Sequence, residues 1–263
     1  MNMFWKLGCA GALLLTGCAT RHQAPVVQVH ANDAAMAPRG IILKELTYEG
    51  QVYKYAIYVP RAYTPQRVWP CLLFLHGSGE SGTDGLKQVI QGIGSAIQWN
   101  EKEWPCVVVM PQKPVEKNQW EYYDAPVMAM LEAARAEYRI DDDRIGLTGL
   151  SQGGHGTWAL AAAHPGVFCA IAPICGYPRP LSPAEIAGKI GDVPVWAFHG
   201  LADEVVPPAG TTEIVDAVRA ERAGRGSSAE VRQSLFDGVN HGSWDRAYRQ
   251  EGLASWLLSK HRP

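Results

Sequence analysis

Ile145-Gly146-Leu147-Thr148-Gly149-Leu150-Ser151-Gln152-Gly153-Gly154-His155 is the stretch on which the reading of the whole chain turns. Arg144 to Thr148 has the length and apolar character of a buried strand. It runs directly into Gly149-Leu150-Ser151-Gln152-Gly153, a G-x-S-x-G pattern, and Gly156 to Ala163 then has helix-forming composition up to His164-Pro165. A strand, a sharp turn and a helix in that order lift a serine hydroxyl off the edge of a sheet, and the flanking glycines leave room for strained backbone and close packing. The plainer alternative is a glycine-rich turn that holds a serine by chance, so the rest of the chain must decide.

Working outward, strand-like and helix-like segments alternate. Ile41 to Tyr48 and Gln51 to Val59 read as a hairpin closed by Glu49-Gly50. Cys71 to Leu75, Cys106 to Pro111, Cys169 to Gly176, Val193 to Phe198 and Ala229 to Phe236 read as further strands, most of them uninterrupted apolar runs. Between them, helices are expected over about 125–138 and 212–223, with one closing helix from Trp244 to Lys260. Asp84 to Trp99 is weakly helical and broken by glycines, and Asp141-Asp142-Asp143 reads as a solvated turn without the ligand spacing of a calcium loop. Continuous apolar strands that alternate with helices predict an α/β fold: a mostly parallel central sheet with helices on both faces. The connection from Tyr177 to Asp192 is short and proline-rich, with little material for a cap.

Functional groups in such sheets gather beyond the carboxyl ends of the strands. Four loops qualify. His76-Gly77-Ser78-Gly79-Glu80 follows one buried strand, and its backbone N–H groups, that of Ser78 above all, are placed to meet the Gln152 N–H at a developing oxyanion. Read alone, it would be an ordinary surface loop. Ser151 follows the next, Asp203 follows Phe198 in His199-Gly200-Leu201-Ala202-Asp203, and His241 follows Phe236 in Asp237-Gly238-Val239-Asn240-His241. A serine hydroxyl needs a base, and an imidazole is best held by a carboxylate.

The four motifs in this register, with the order serine, aspartate, histidine, resemble the α/β-hydrolase carboxylesterases, in particular the phospholipase/carboxylesterase and the polyhydroxybutyrate depolymerase and feruloyl esterase-like types. The resemblance covers Gly40 to the C-terminus. It implies Ser151 as nucleophile, His241 as base and then acid, Asp203 as its orienting partner, and Ser78 and Gln152 as oxyanion donors. The implied reaction is hydrolysis of a short-chain, aryl or sugar-linked ester through an acyl-enzyme, on a small-molecule or oligosaccharide substrate and with no cofactor or metal. Rival positions are His155 and His199 for the base and Glu204 for the acid. A prolyl-oligopeptidase-like peptidase shares the motifs, but a propeller has no counterpart in this chain. A non-catalytic binding lipoprotein would be favoured by loss of one of the three residues, all of which are present.

The N-terminus reads separately. Lys6 and the apolar run Leu7 to Leu15 form a leader too short to span a bilayer. It ends in Leu15-Thr16-Gly17-Cys18, which resembles the lipobox of bacterial lipoproteins. The expected organisation is a leader at 1–17, a lipidated Cys18 that anchors the protein in the cell envelope facing the periplasm, a tether over 18–39 and a catalytic domain over 40–263. The formal net charge of −2 offers no basic field for nucleic acid. The aromatics Trp120, Tyr123 and Trp244 are expected in the core, and the thiols of Cys71, Cys106, Cys169 and Cys175 are expected free and buried, although Cys71 and Cys106 fall at one level of neighbouring strands.

Overall fold

A computed structural model describes residues 38–263. The expected leader, Cys18 and all of the tether except Pro38 and Arg39 lie outside the described residues.

Eight strands form one sheet: β1 Gly40–Tyr48, β2 Gln51–Val59, β3 Trp69–Leu75, β4 Val107–Pro111, β5 Ile140–Leu150, β6 Ala170–Ile174, β7 Val195–Gly200 and β8 Val231–Phe236. Their spatial order is β1-β2-β4-β3-β5-β6-β7-β8. β1, β2 and β4 pair antiparallel, while every pair from β4 to β8 is parallel. Glu49 and Gly50 turn the hairpin with φ of 48° and 81°, as two-residue hairpin loops demand. The order reverses at β3 and β5, so the loops that leave these two strands diverge and open a crevice between them. Ser78 and Ser151 stand on those two loops.

Among the described residues, seven α-helices cover the sheet: α1 Ile93–Trp99, α2 Asp124–Glu137, α3 Gln152–Ala163, α4 Pro183–Ile190, α5 Pro208–Arg225, α6 Trp244–Gln250 and α7 Leu253–Leu258. Alternate residues of the strands feed two cores. Leu73, Leu75, Val107, Val109 and Leu147 meet α2, α3, α4 and α5 on one face. Leu72, Phe74, Val108 and Met110 meet α1, α6 and α7 on the other. Both faces of β3, β4, β6, β7 and the second half of β5 are therefore dry, which is why their sequences show runs and not alternation, whereas the edge strand β8 is only partly buried.

Three expectations need correction. The acidic run at 141–143 is the first half of β5 and not a turn. The register with β3 jumps between Trp69 and Cys71, so this end of β5 runs outside the buried ladder, where Asp142 and Asp143 bind Arg135 and Arg262. The closing helix is two helices, because Gly252 adopts φ 73° between α6 and α7. The connection from Tyr177 to Asp192 holds α4, started by a capping box between Ser182 and Glu185. This helix turns Ile186, Ala187 and Ile190 into the core beside α3 and α5.

Candidate active site

The site is built on the turn from β5 to α3. Ser151 holds φ 54° and ψ −117°, a conformation that costs a β-carbon-bearing residue on the order of 1–3 kcal/mol. Neighbouring contacts enforce it. The Ser151 N–H donates to the Ile174 carbonyl at 2.8 Å, and the Ser151 carbonyl accepts from the His155 N–H at 3.0 Å. Gly149 and Gly153 have no room for a side chain: a Cβ would stand 2.3 Å from the Gly153 oxygen and 1.9 Å from the Leu75 oxygen, respectively. The elbow is wedged between the ends of β3 and β6.

Three separate loops converge here. His241 Nε2 lies 2.9 Å from Ser151 Oγ, and His241 Nδ1 lies 2.7 Å from Asp203 Oδ2. The other carboxylate oxygen, Oδ1, accepts the Val205 and Val206 N–H groups, each at 2.9 Å. Burial works to raise the Asp203 carboxyl, but the His241 hydrogen bond and the two backbone donors outweigh it and hold the group below its ordinary range. Glu204, the rival acid, is exposed and faces the cavity beyond His241. His155, a rival base, is buried in α3, where it bonds Glu121 at 2.8 Å and stacks on Tyr177. His199, the other rival, is buried behind Asp203 at 3.0 Å.

The loop after β3 makes one 3-10 turn, Ser78–Glu80, against the elbow. A Cβ at Gly77 would lie 3.5 Å from that of Ser151, so the two backbones face each other closely. Ser81 Oγ donates to the Ser78 carbonyl at 2.7 Å, and Lys113 Nζ donates to Ser81 Oγ at 2.7 Å and to the Val115 and Glu116 carbonyls at 3.1 and 2.8 Å. Gln112 holds the Glu80 carbonyl at 3.0 Å. Burial pulls the Lys113 ammonium down to about 8, yet with three acceptors all its protons are used. This brace escapes sequence reasoning, since the only signal is a lysine two residues past a buried strand. His76 is neutral, pulled down to about 3 by burial. Its Nε2 accepts the Lys113 N–H at 3.1 Å, which leaves Nδ1 to donate to the Gly77 carbonyl at 2.5 Å.

A cavity of about 480 Å³ opens beside His241, lined by Ala202, Glu204, Val205, Asn240 and Trp244. Trp244 meets the His241 ring edge to face at 5.2 Å. It lines the site while packing, half-buried, against the core on the face that α1, α6 and α7 cover, whereas Trp120 and Tyr123 lie within the core of the other face. Beyond Val205 lies a second hollow of about 550 Å³, lined by Gln119, Tyr177, Arg179 and Glu213 among others. Two larger hollows, of about 610 and 680 Å³, contain none of the residues that meet at Ser151. Among the described residues, Cys175, His199 and Asp203 form a grouping of metal-ligand type, with donor atoms within 4.8 Å of one another. Asp203 and His199 are already bonded to each other, so these atoms read as a hydrogen-bond network. All four described cysteines are free and buried, Cys71 and Cys106 included.

Comparison with known proteins places this geometry in context. The model of the family described as "Putative esterase" matches residues 47–250. A curated relative, "Putative esterase NocK" of Nocardia uniformis subsp. tsuyamanensis, is 28% identical over 199 residues, 72% of this chain and 55% of the relative. A "Putative carboxymethylenebutenolidase" of Methylorubrum extorquens is 30% identical over 157 residues, 50% of this chain and 53% of the relative. The chain thus spans about half the length of the curated relatives it matches. Among solved structures, a thermostable esterase aligns with a TM-score of 0.74 at 29% identity, over 84% of this chain and 63% of that one. The feruloyl esterase module from Clostridium thermocellum, complexed with sinapinate, shares the fold, with a TM-score of 0.64 at 16% identity over 90% and 95% of the two chains.

Proposed function

The chain belongs to the "Putative esterase" family, and from that premise we propose that it hydrolyses carboxylic esters through an acyl-enzyme on Ser151. One observation carries the reading: the unbroken line of hydrogen bonds from Ser151 Oγ through His241 to Asp203, at 2.9 and 2.7 Å. Asp203 accepts at Nδ1, which leaves Nε2 of the neutral imidazole free to take the serine proton. Ser151 Oγ then bonds to the ester carbonyl carbon, and the carbonyl oxygen becomes an oxyanion. The N–H groups of Ser78 and Gln152 are the proposed donors to it. His241 returns the proton to the leaving alkoxide as the carbon–oxygen bond breaks. Water, deprotonated by the same imidazole, cleaves the acyl-serine and restores the hydroxyl.

Short-chain, aryl and sugar-linked esters are the proposed substrates. Support comes from α4, whose apolar face is used up in the core and forms no roof over Ser151. An open cleft with one aromatic wall at Trp244 cannot surround a long acyl chain, whose burial would contribute about 0.8 kcal/mol per methylene. Along a p-nitrophenyl series from acetate to palmitate, kcat/KM is expected to peak at short chains, with a pre-steady-state burst of p-nitrophenol. A steady rise beyond about eight carbons at the full burial value would instead mean a closed apolar tunnel. Peptide amides belong on the same panel, where turnover comparable to the esters would move the reading to a prolyl-oligopeptidase-like peptidase.

We also propose that Cys18 is lipidated and holds the domain at the envelope, on the strength of Leu15-Thr16-Gly17-Cys18. Two acyl chains suffice for stable anchoring where one is marginal. Mass spectrometry of the native N-terminal peptide is expected to find a diacylglyceryl-modified Cys18, and an unmodified one refutes the anchor.

A further inference from the structure

The hydrolytic steps leave one buried histidine without a task. His199, near the end of β7, is fully buried, and its two ring nitrogens have defined partners. Nε2 lies 3.0 Å from Asp203 Oδ2 and 3.0 Å from the Val206 carbonyl oxygen. Both of those atoms only accept, so Nε2 must carry a proton. Nδ1 lies 2.7 Å from Thr211 Oγ1, whose hydroxyl also lies 2.8 Å from the Gly176 carbonyl. Burial lowers the imidazole below the ordinary histidine value, so it keeps a single proton at neutral pH. The single proton of the Thr211 hydroxyl has two acceptors in reach, the Gly176 carbonyl and Nδ1, so Thr211 does not fix the tautomer. The two acceptors at Nε2, Asp203 Oδ2 and the Val206 carbonyl, do.

Asp203 Oδ2 is shared as a result. His241 Nδ1–H reaches it from one side at 2.7 Å and His199 Nε2–H from the other at 3.0 Å, while Oδ1 is taken by two backbone donors. The remaining titratable group at this point is the Cys175 thiol, within 4.8 Å of the His199 and Asp203 donor atoms. Burial pushes it up to about 12, so it adds no charge.

We propose that His199, with its proton held on Nε2 by the acceptors of Asp203 and Val206, is a positioning residue for ester hydrolysis: it locks the Asp203 carboxylate against rotation and draws part of its negative charge away from His241. The proposal rests on the reading of Asp203 as the partner of His241. Loss of the His199 donor leaves more of the carboxylate charge to His241, which favours its protonated form and keeps it unreactive to higher pH. The freed carboxylate also samples orientations in which His241 is misaligned.

The test uses the full chain with p-nitrophenyl acetate and four variants. In His199→Phe, kcat is expected to fall on the order of tenfold with KM within about twofold, as for loss of one hydrogen bond to a charged group. The acidic limb of kcat/KM against pH is expected to move up by roughly half a unit to one unit. Thr211→Val is close to isosteric and leaves the Nε2–H donor facing Asp203, so its limb is expected to stay within about 0.2 units of the parent's. His199→Gln, whose amide can donate to Asp203, returns the limb towards that of the parent protein. An unmoved or lowered limb in folded His199→Phe, or a Thr211→Val limb moved as far as that of His199→Phe, overturns the proposal, even if activity falls. Should His199→Phe fail to fold, the smaller His199→Leu supplies the variant without a donor, and its limb against that of His199→Gln decides. Asp203→Asn separates the premise from the inference, since near-parental turnover in that variant would remove Asp203 from the reaction whatever His199 does.

Discussion

Ser151→Ala is expected to lower ester turnover by about four to six orders of magnitude and to leave the fold in place. The hydroxyl is the proposed nucleophile at the meeting point of the three loops, and its one side-chain hydrogen bond among the described residues is to His241. Removal breaks no packing contact of consequence. The unusual backbone at φ 54° is held by the bonds to Ile174 and His155, which an alanine retains. Binding and oxyanion donors would persist, so a residual rate above that of water is expected. Adding His241→Ala to Ser151→Ala should cost almost nothing further, because the two act as a unit. Steady-state kinetics with p-nitrophenyl acetate, alongside circular dichroism and a melting curve, provide the check. A folded Ser151→Ala protein with near-parental kcat would remove the nucleophile from the mechanism.

The second large effect falls on stability. Gly153→Ala is expected to destabilise the protein by at least about 3 kcal/mol, as overpacking against immovable atoms does. The new methyl would stand 1.9 Å from the Leu75 oxygen and 2.5 and 2.6 Å from the Leu75 carbon and the His76 oxygen. All three belong to the backbone of β3 and the loop it feeds, so no rotamer change relieves the clash. Either α3 lifts away from the sheet or β3 leaves its register with β5. Gly188, in the interior of α4, is the control, because nothing lies within 4 Å of a Cβ there. Gly188→Ala should stabilise by about 0.5–1 kcal/mol through helix propensity alone. Urea titrations of the two variants should therefore shift in opposite directions, and a Gly153→Ala midpoint equal to the parent's would contradict the tight packing of the elbow.

Much of this site was legible before any coordinates. Ser78, Ser151 and Asp203 each follow an apolar run and His241 a mixed one, and β3, β5, β7 and β8 carry those loops to one edge. The hairpin at Glu49-Gly50 was equally plain, since two residues with positive φ between alternating strands have few other uses. What stayed hidden depends on pairing at long range. Asp141 to Asp143 looked like a turn because acidic side chains seldom sit in a sheet, and only the register break with β3 and the reach of Arg135 and Arg262 explain them. The break at Gly252 was visible as a residue, but a lone glycine inside a helical pattern does not by itself end a helix. Lys113 and His199 were the least accessible. Each meets a partner on a different element, Ser81 for the one and Thr211 for the other, and neither spacing nor periodicity carries that information.

The open order of the sheet has one more consequence, for self-association. Among the described residues, β1 and β8 each pair on one side only, and each leaves a row of backbone donors and acceptors on the other. Such edges template addition of a strand from another copy unless they are blunted. Charge does the blunting here. On β1, Lys44 is tied to Glu137 of α2, and the next residue, Glu45, to Lys54 of β2. At β8, Arg232 pairs with Glu230, which also holds Lys260 at 2.7 Å. A strand docking at either margin would have to align beside anchored ions of both signs and strip their hydration. The same charged borders that end the sheet oppose its growth into a neighbouring copy.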